Sequence, residues 1–71
     1  MKNQELADEV RIRYFSEKEV SRITGRALST LRNERFKGCG IPYIKAGRSV
    51  RYNLQDVIRY MEERKVKTNE I

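Results

Sequence analysis

The segment from residue 16 to 37 constrains the fold most, because it holds two short helical patterns separated by one glycine. Ser16 and Glu19 have the spacing of a capping box, in which each side chain accepts a hydrogen bond from the other's backbone amide. The box predicts a first helix over residues 17–24. Gly25 ends it, since glycine readily adopts the left-handed conformation that follows a helix. The residues expected to be buried on this helix are Val20 and Ile23.

The second helical pattern covers residues 27–37. At 100° per residue, Leu28 and Leu31 fall on one face and short polar residues fall on the opposite face. That polar face carries Ser29, Thr30 and Asn33, with Arg32 between the two faces. Hydroxyl, amide and guanidinium groups read base edges and hold phosphates in protein–DNA complexes. For such a stretch taken alone, a merely solvated helix face is the plain alternative.

Residues 38–65 predict a β-hairpin and then a third helix. Two β-rich runs, residues 43–45 and 50–52, flank a turn in which Gly47 supplies a positive φ, and Ile44 is expected to face the core. Asn53 is the expected N-cap of the third helix. The apolar stripe of that helix consists of Leu54, Val57, Ile58 and Met61.

The predicted fold class is therefore mostly α with a small β-hairpin, in the order helix, helix, hairpin, helix. The domain is expected to span residues 14–65, between a flexible arm at 1–13 and a flexible tail at 66–71. Lys45 and Arg51 flank the turn of the hairpin and Arg48 lies at its tip. A basic hairpin beside a helix-turn-helix is a wing, and the alternative is an edge strand protected from pairing by its cations.

The positive charge of the chain is concentrated in its middle. The net charge is +6, and residues 21–52 hold eight cations against Glu34 as the one anion, whereas the remainder holds eight cations and nine anions. A basic stripe of this kind is typical of a protein with a polyanionic partner. Glycines and a proline interrupt the stripe, so it is no amphipathic helix for a membrane surface. Nucleic acid is the favoured partner.

Several functional classes are disfavoured by what the chain lacks. With no histidine and only Cys39 as a thiol, we expect no disulfide, no metal site and no cofactor. Enzymatic activity and a small-molecule substrate are not expected, because no nucleophile has an obvious base. No apolar run is long enough to cross a bilayer and no signal-peptide core is evident, so a cytoplasmic, nucleoid-associated location without a membrane partner is expected.

Five short motifs follow one another along the chain. Ser-Glu-Lys-Glu-Val at 16–20 and Thr-Gly at 24–25 precede Ser-Thr-Leu-Arg at 29–32, Gly-Ile-Pro-Tyr-Ile-Lys at 40–45 and Gly-Arg-Ser-Val-Arg-Tyr at 47–52. In this order they resemble the excisionase-like winged helix-turn-helix family, which is related to the MerR-type DNA-binding domain. The resemblance covers roughly residues 15–61. It implies a second helix in the major groove and a wing against the neighbouring backbone or minor groove.

The resemblance also implies a function and a set of contact residues. Members of the family are recombination directionality factors of phages and integrative elements, or small prophage-type transcriptional regulators. Carried over to this chain, the recognition-helix contacts are Ser29, Thr30, Arg32, Asn33 and Lys37. The contacts of the wing and its flanks are Arg26, Lys45, Arg48, Ser49 and Arg51.

Double-stranded DNA is thus the expected partner, joined by an integrase or by a second copy bound cooperatively. Asn33 can read adenine with two hydrogen bonds, while the cations are expected mostly to hold phosphates. The alternative is a protein-interaction adaptor that docks an integrase or another acidic partner without strong DNA binding. Salt-dependent affinity for duplex DNA would separate the two.

Overall fold

A computed structural model describes residues 13–68 of the chain. In chain order the elements are β1 (Tyr14–Ser16), α1 (Glu17–Thr24), α2 (Leu28–Lys37), β2 (Ile44–Ala46), β3 (Ser49–Asn53) and α3 (Leu54–Glu63). Apart from Arg13, the predicted arm lies outside the described residues, as do residues 69–71 of the predicted tail. Within the described part, no helix has the length and apolar character needed to span a membrane.

The three strands form one antiparallel sheet in the order β1-β3-β2. Ile44 pairs with Arg51 across the hairpin, and Phe15 pairs with Tyr52 on the other side of β3. The predicted hairpin is therefore present, but the prediction of a hairpin alone was incomplete because β1 adds a third strand. Three residues are too few to show the alternation typical of a strand, and β1 exists because β3 offers it a pairing edge.

The helix boundaries follow the predicted capping residues. The Ser16 amide donates to Glu19 Oε1 at 2.8 Å and the Glu19 amide donates to Ser16 Oγ at 3.2 Å, which completes the capping box. Gly25 ends α1 with a φ of 76°. At the start of α3, Asn53 Oδ1 accepts a hydrogen bond from the Gln55 amide at 2.7 Å. Each of these features depends on residues close in sequence, which is why the sequence predicts them.

The core lies where α1, α2 and α3 meet the sheet. Its buried residues are Val20, Leu31, Ile41, Tyr52, Val57 and Tyr60. Four residues predicted to be buried are instead between 37% and 51% exposed, namely Ile23, Ile44, Ile58 and Met61. A chain this small buries only six side chains in its core, so neighbouring apolar residues on the helices and on β2 stay partly exposed.

Tyr60 takes the place in the core that Ile58 and Met61 were expected to fill. It lies one turn after Val57 on α3, and only 9% of its surface is exposed. The guanidinium of Arg64 lies 3.4 Å from the centroid of its ring, and that of Arg26 lies 5.5 Å away. The planar guanidinium groups of these two arginines cover the ring of Tyr60 and shield it from solvent.

Candidate nucleic-acid interface

An open groove of about 1080 Å³ separates α2 from the hairpin, and we call it the α2–hairpin groove. From α2 it is lined by Leu28, Ser29, Arg32, Asn33, Arg35 and Phe36. From the segment that includes the hairpin it is lined by Tyr43, Lys45, Arg48 and Val50. Two elements that are separate in sequence thus form its two walls.

The lining of the α2–hairpin groove is strongly basic. It contains Arg32, Arg35, Lys45 and Arg48, and none of its described lining residues is a carboxylate. A cleft lined by charges of one sign concentrates their electric field and attracts ligands of the opposite sign. The groove is therefore suited to a polyanion.

Glu17 of α1 restrains two of these four cations. Its Oε2 lies 2.7 Å from Arg32 Nη2 and accepts a second hydrogen bond from Arg32 Nε at 3.1 Å, and its Oε1 lies 3.1 Å from Arg35 Nη1. The hydrogen bond from Arg32 is the main reason that the pKa of Glu17 lies below its ordinary value of 4.5. Within residues 13–68, neither Lys45 nor Arg48 pairs with a carboxylate.

Arg35 is held more firmly than Arg32. Only 20% of its side chain is exposed, against 53% for Arg32. Its Nη1 donates a hydrogen bond to the hydroxyl of Tyr52, and its guanidinium lies 5.6 Å from the centroid of the Tyr43 ring. Arg35 therefore connects the two walls of the groove, while the more exposed Arg32 is better placed to meet a ligand.

The structure brings five of the ten predicted contact residues together in this groove: Ser29, Arg32, Asn33, Lys45 and Arg48. Two others, Ser49 and Arg51, line a neighbouring recess whose wall also includes Arg48. Arg48 thus stands between the two depressions, at the tip of the hairpin. A ligand long enough to cross that tip would meet all three.

The remaining three predicted contacts lie outside both depressions. Thr30 is half-buried, and Lys37 is exposed on the last turn of α2. Arg26 forms an ion pair with Glu34 and packs beside Tyr60, with 22% of its side chain exposed. The structure therefore places Arg26 in a contact that joins the α1–α2 connection to α2, away from the groove.

Phe36 was not among the predicted contact residues, but it lines the groove and is 90% exposed. The signal was present in the spacing, because Phe36 follows Ser29 by seven residues and Asn33 by three. Residues spaced by three, four and seven share one helix face. Phe36 therefore continues the polar face of α2 with an aromatic ring.

No family model matches the chain, and neither the curated proteins nor the solved structures include a significant match.

Proposed function

We propose that this chain is a sequence-preferring, double-stranded DNA-binding protein with a winged helix-turn-helix fold. One observation carries the proposal: Ser29, Arg32 and Asn33 of α2 line the same basic groove as Lys45 and Arg48 of the hairpin. Hydrogen-bonding groups for base edges and cations for phosphates are then presented together. DNA recognition requires both kinds of contact.

In this proposal α2 is the helix that enters the major groove of DNA. Its ten residues span about 15 Å at a rise of about 1.5 Å per residue. The major groove of B-DNA, about 12 Å wide, admits an α-helix. Ser29 and Asn33 are exposed and carry the short polar groups that can reach base edges. Arg32 is half exposed and can turn from Glu17 towards a phosphate or a guanine.

The hairpin formed by β2 and β3 is the proposed wing. Lys45 and Arg48 project from it without a carboxylate partner in the described part of the chain. Unpaired cations release counterions from DNA when they meet phosphates, which favours binding at low salt. The wing is expected to supply affinity, and α2 the choice of sequence.

The proposed biological role is that of an excisionase-type recombination directionality factor or a small prophage-type regulator. Its motifs at residues 16–52 support this role through the family they resemble. A single small module covers a limited surface on DNA, so its affinity alone is modest. We expect several copies, or one copy and an integrase, to bind neighbouring sites together.

The test is fluorescence-anisotropy binding to labelled duplex DNA across a salt series. Contacts to roughly five phosphates should give a slope of log K against log salt of about −4 to −5. Lys45→Ala should make the slope shallower by about 1, and Arg59→Ala should not, because Arg59 pairs with Asp56 on α3 outside the groove. A flat salt response would contradict DNA binding and favour an adaptor that docks an acidic protein.

A further inference from the structure

The aromatic ring of Phe36 lies in an exposed position on α2. It is 90% exposed, more than Ile23 or Ile58, which are each about half exposed. Phenylalanine is among the residues most often buried, and a single exposed apolar residue needs no explanation by itself. The exposure of this ring is informative because of the groups that surround it.

Phe36 shares the α2–hairpin groove with groups that suit nucleic acid. Ser29, Asn33 and Phe36 lie on one face of α2, and all three line the groove. The groove also contains Lys45 and Arg48, neither of which pairs with a carboxylate within residues 13–68. An apolar protein partner would have to bury these cations along with the ring, which is costly. A polyanion would neutralise the cations, and the ring of Phe36 would then contact the apolar atoms of that same ligand.

The major groove of DNA offers one prominent apolar group, the C5-methyl of thymine. We propose that Phe36 contacts a thymine methyl and makes the chain prefer sites with thymine at that position. The inference rests on the proposed DNA-binding function and adds a specificity-determining residue to it. Phe36 is about 10 Å along the helix from Ser29, so the preferred thymine should lie in a different base pair from the one nearest to Ser29.

Replacement of thymine by uracil tests the contact, since uracil pairs identically and lacks only the methyl group. A duplex is first selected from a randomised pool by the wild-type chain, and each thymine is then replaced singly by uracil. At one position the wild-type chain should bind the uracil duplex about fourfold more weakly, as expected for loss of one buried methyl-sized group. Phe36→Ala should bind the two duplexes equally at that position.

Two further variants serve as controls. Phe36→Leu keeps an apolar side chain, so it should retain part of the difference between thymine and uracil. Ile58→Ala removes an exposed apolar side chain from α3, outside the groove, and should leave the difference unchanged. Because Phe36 makes little contact with the described protein, Phe36→Ala should retain the circular-dichroism spectrum and melting temperature of the wild type.

Three outcomes would overturn the inference. If every uracil duplex binds the wild-type chain as tightly as its thymine counterpart, while the salt dependence is steep, the methyl contact fails and the DNA-binding function stands. If Phe36→Ala changes self-association without changing the thymine-to-uracil ratio, the ring belongs to a protein contact. If no duplex binds in a salt-dependent way, the proposed function fails and the inference fails with it.

Discussion

Arg35 Nη1 donates a hydrogen bond to the hydroxyl of Tyr52 over 3.2 Å, and this contact joins α2 to the central strand of the sheet. Tyr52 is 1% exposed, so its hydroxyl has little access to water. The same guanidinium nitrogen lies 3.1 Å from Glu17 of α1. One side chain thus connects α1, α2 and β3.

Removal of the Tyr52 hydroxyl should destabilise the chain. Tyr52→Phe keeps the buried ring and leaves Arg35 with one hydrogen-bond partner fewer in a partly buried site. We expect the free energy of unfolding to fall by about 1.5 to 3 kcal/mol, the range for a hydrogen bond to a charged group. Urea denaturation followed by circular dichroism measures the change.

Tyr43→Phe is the matched control for this variant. Tyr43 is 40% exposed, and its hydroxyl has no hydrogen-bond partner among residues 13–68. Its loss should change the free energy of unfolding by less than about 0.5 kcal/mol. Equal losses from the two variants would show that the Arg35–Tyr52 bond does not stabilise the fold.

Glu17 should make stability depend on pH in the acid range. Its pKa in the folded chain is lowered, first by the hydrogen bond from Arg32 and further by the charges of Arg32 and Arg35. The ordinary value of 4.5 applies to the unfolded chain. The carboxylate therefore contributes its full stability above about pH 4.5, and the contribution is lost as the pH falls through the lower folded-state pKa.

Thermal unfolding of Glu17→Gln between about pH 3 and pH 7 checks this expectation. Near neutral pH the variant should melt below the wild type, and the gap should narrow as the pH falls below about 4.5. Glu63→Gln is the control, because Glu63 is exposed and its contact with Arg64 is long, at 3.7 Å. A gap between Glu17→Gln and the wild type that stayed constant with pH would rule out a role for the ionised Glu17 carboxylate.

Gly40 lies at a point where the chain tolerates no side chain. Its φ is +90°, and an added Cβ would lie 2.7 Å from Glu34 Cβ on α2. Gly40→Ala should therefore combine the cost of a left-handed backbone with overpacking, for a total loss of about 3 kcal/mol in the free energy of unfolding. Urea denaturation again gives the measurement.

Gly38→Ala isolates the backbone part of that cost. Gly38 has a similar φ of +78°, but an added Cβ there meets nothing within 4 Å. The free energy of unfolding of Gly38→Ala should fall by only about 1 kcal/mol. If the two alanine variants lose equal stability, the close approach of Gly40 to Glu34 is relieved by a shift of the chain.

The features that sequence predicts well are decided by neighbouring residues. The Ser16–Glu19 box, the Gly25 stop and the Asn53 cap each involve residues within a few positions of one another. The missed features depend on tertiary contacts. Strand β1 forms only against β3, and Glu17 meets Arg32 across 15 residues of chain. No local pattern reports such pairings.

For a similar reason, some of the predicted contact residues line the groove and others do not. Helical spacing correctly groups Ser29 and Asn33 on one face of α2, and both line the groove. Arg26 was predicted to be a contact of the wing and its flanks, yet it pairs with Glu34 and packs beside Tyr60. Charge alone does not distinguish a cation that faces a ligand from one that joins the α1–α2 connection to α2.

Asn33 and Arg48 should affect DNA binding in different ways. Asn33 is exposed on the groove face of α2, and its amide can donate to and accept from one adenine, which no other base matches. Asn33→Ala should therefore reduce the preference for a selected duplex over a scrambled one by about 5- to 150-fold, equivalent to about 1 to 3 kcal/mol. Arg48 stands at the hairpin tip between two basic depressions, and we expect it to hold a phosphate of the DNA backbone.

Arg48→Ala should accordingly weaken binding to both duplexes by a similar factor and make the salt slope shallower by about 1. Competition anisotropy with the selected and scrambled duplexes, repeated at two salt concentrations, measures both effects. Arg59→Ala, on α3, controls for the loss of one positive charge. If Asn33→Ala kept the full preference while Arg48→Ala lost it, the hairpin would be the reading element and α2 would serve to hold phosphates.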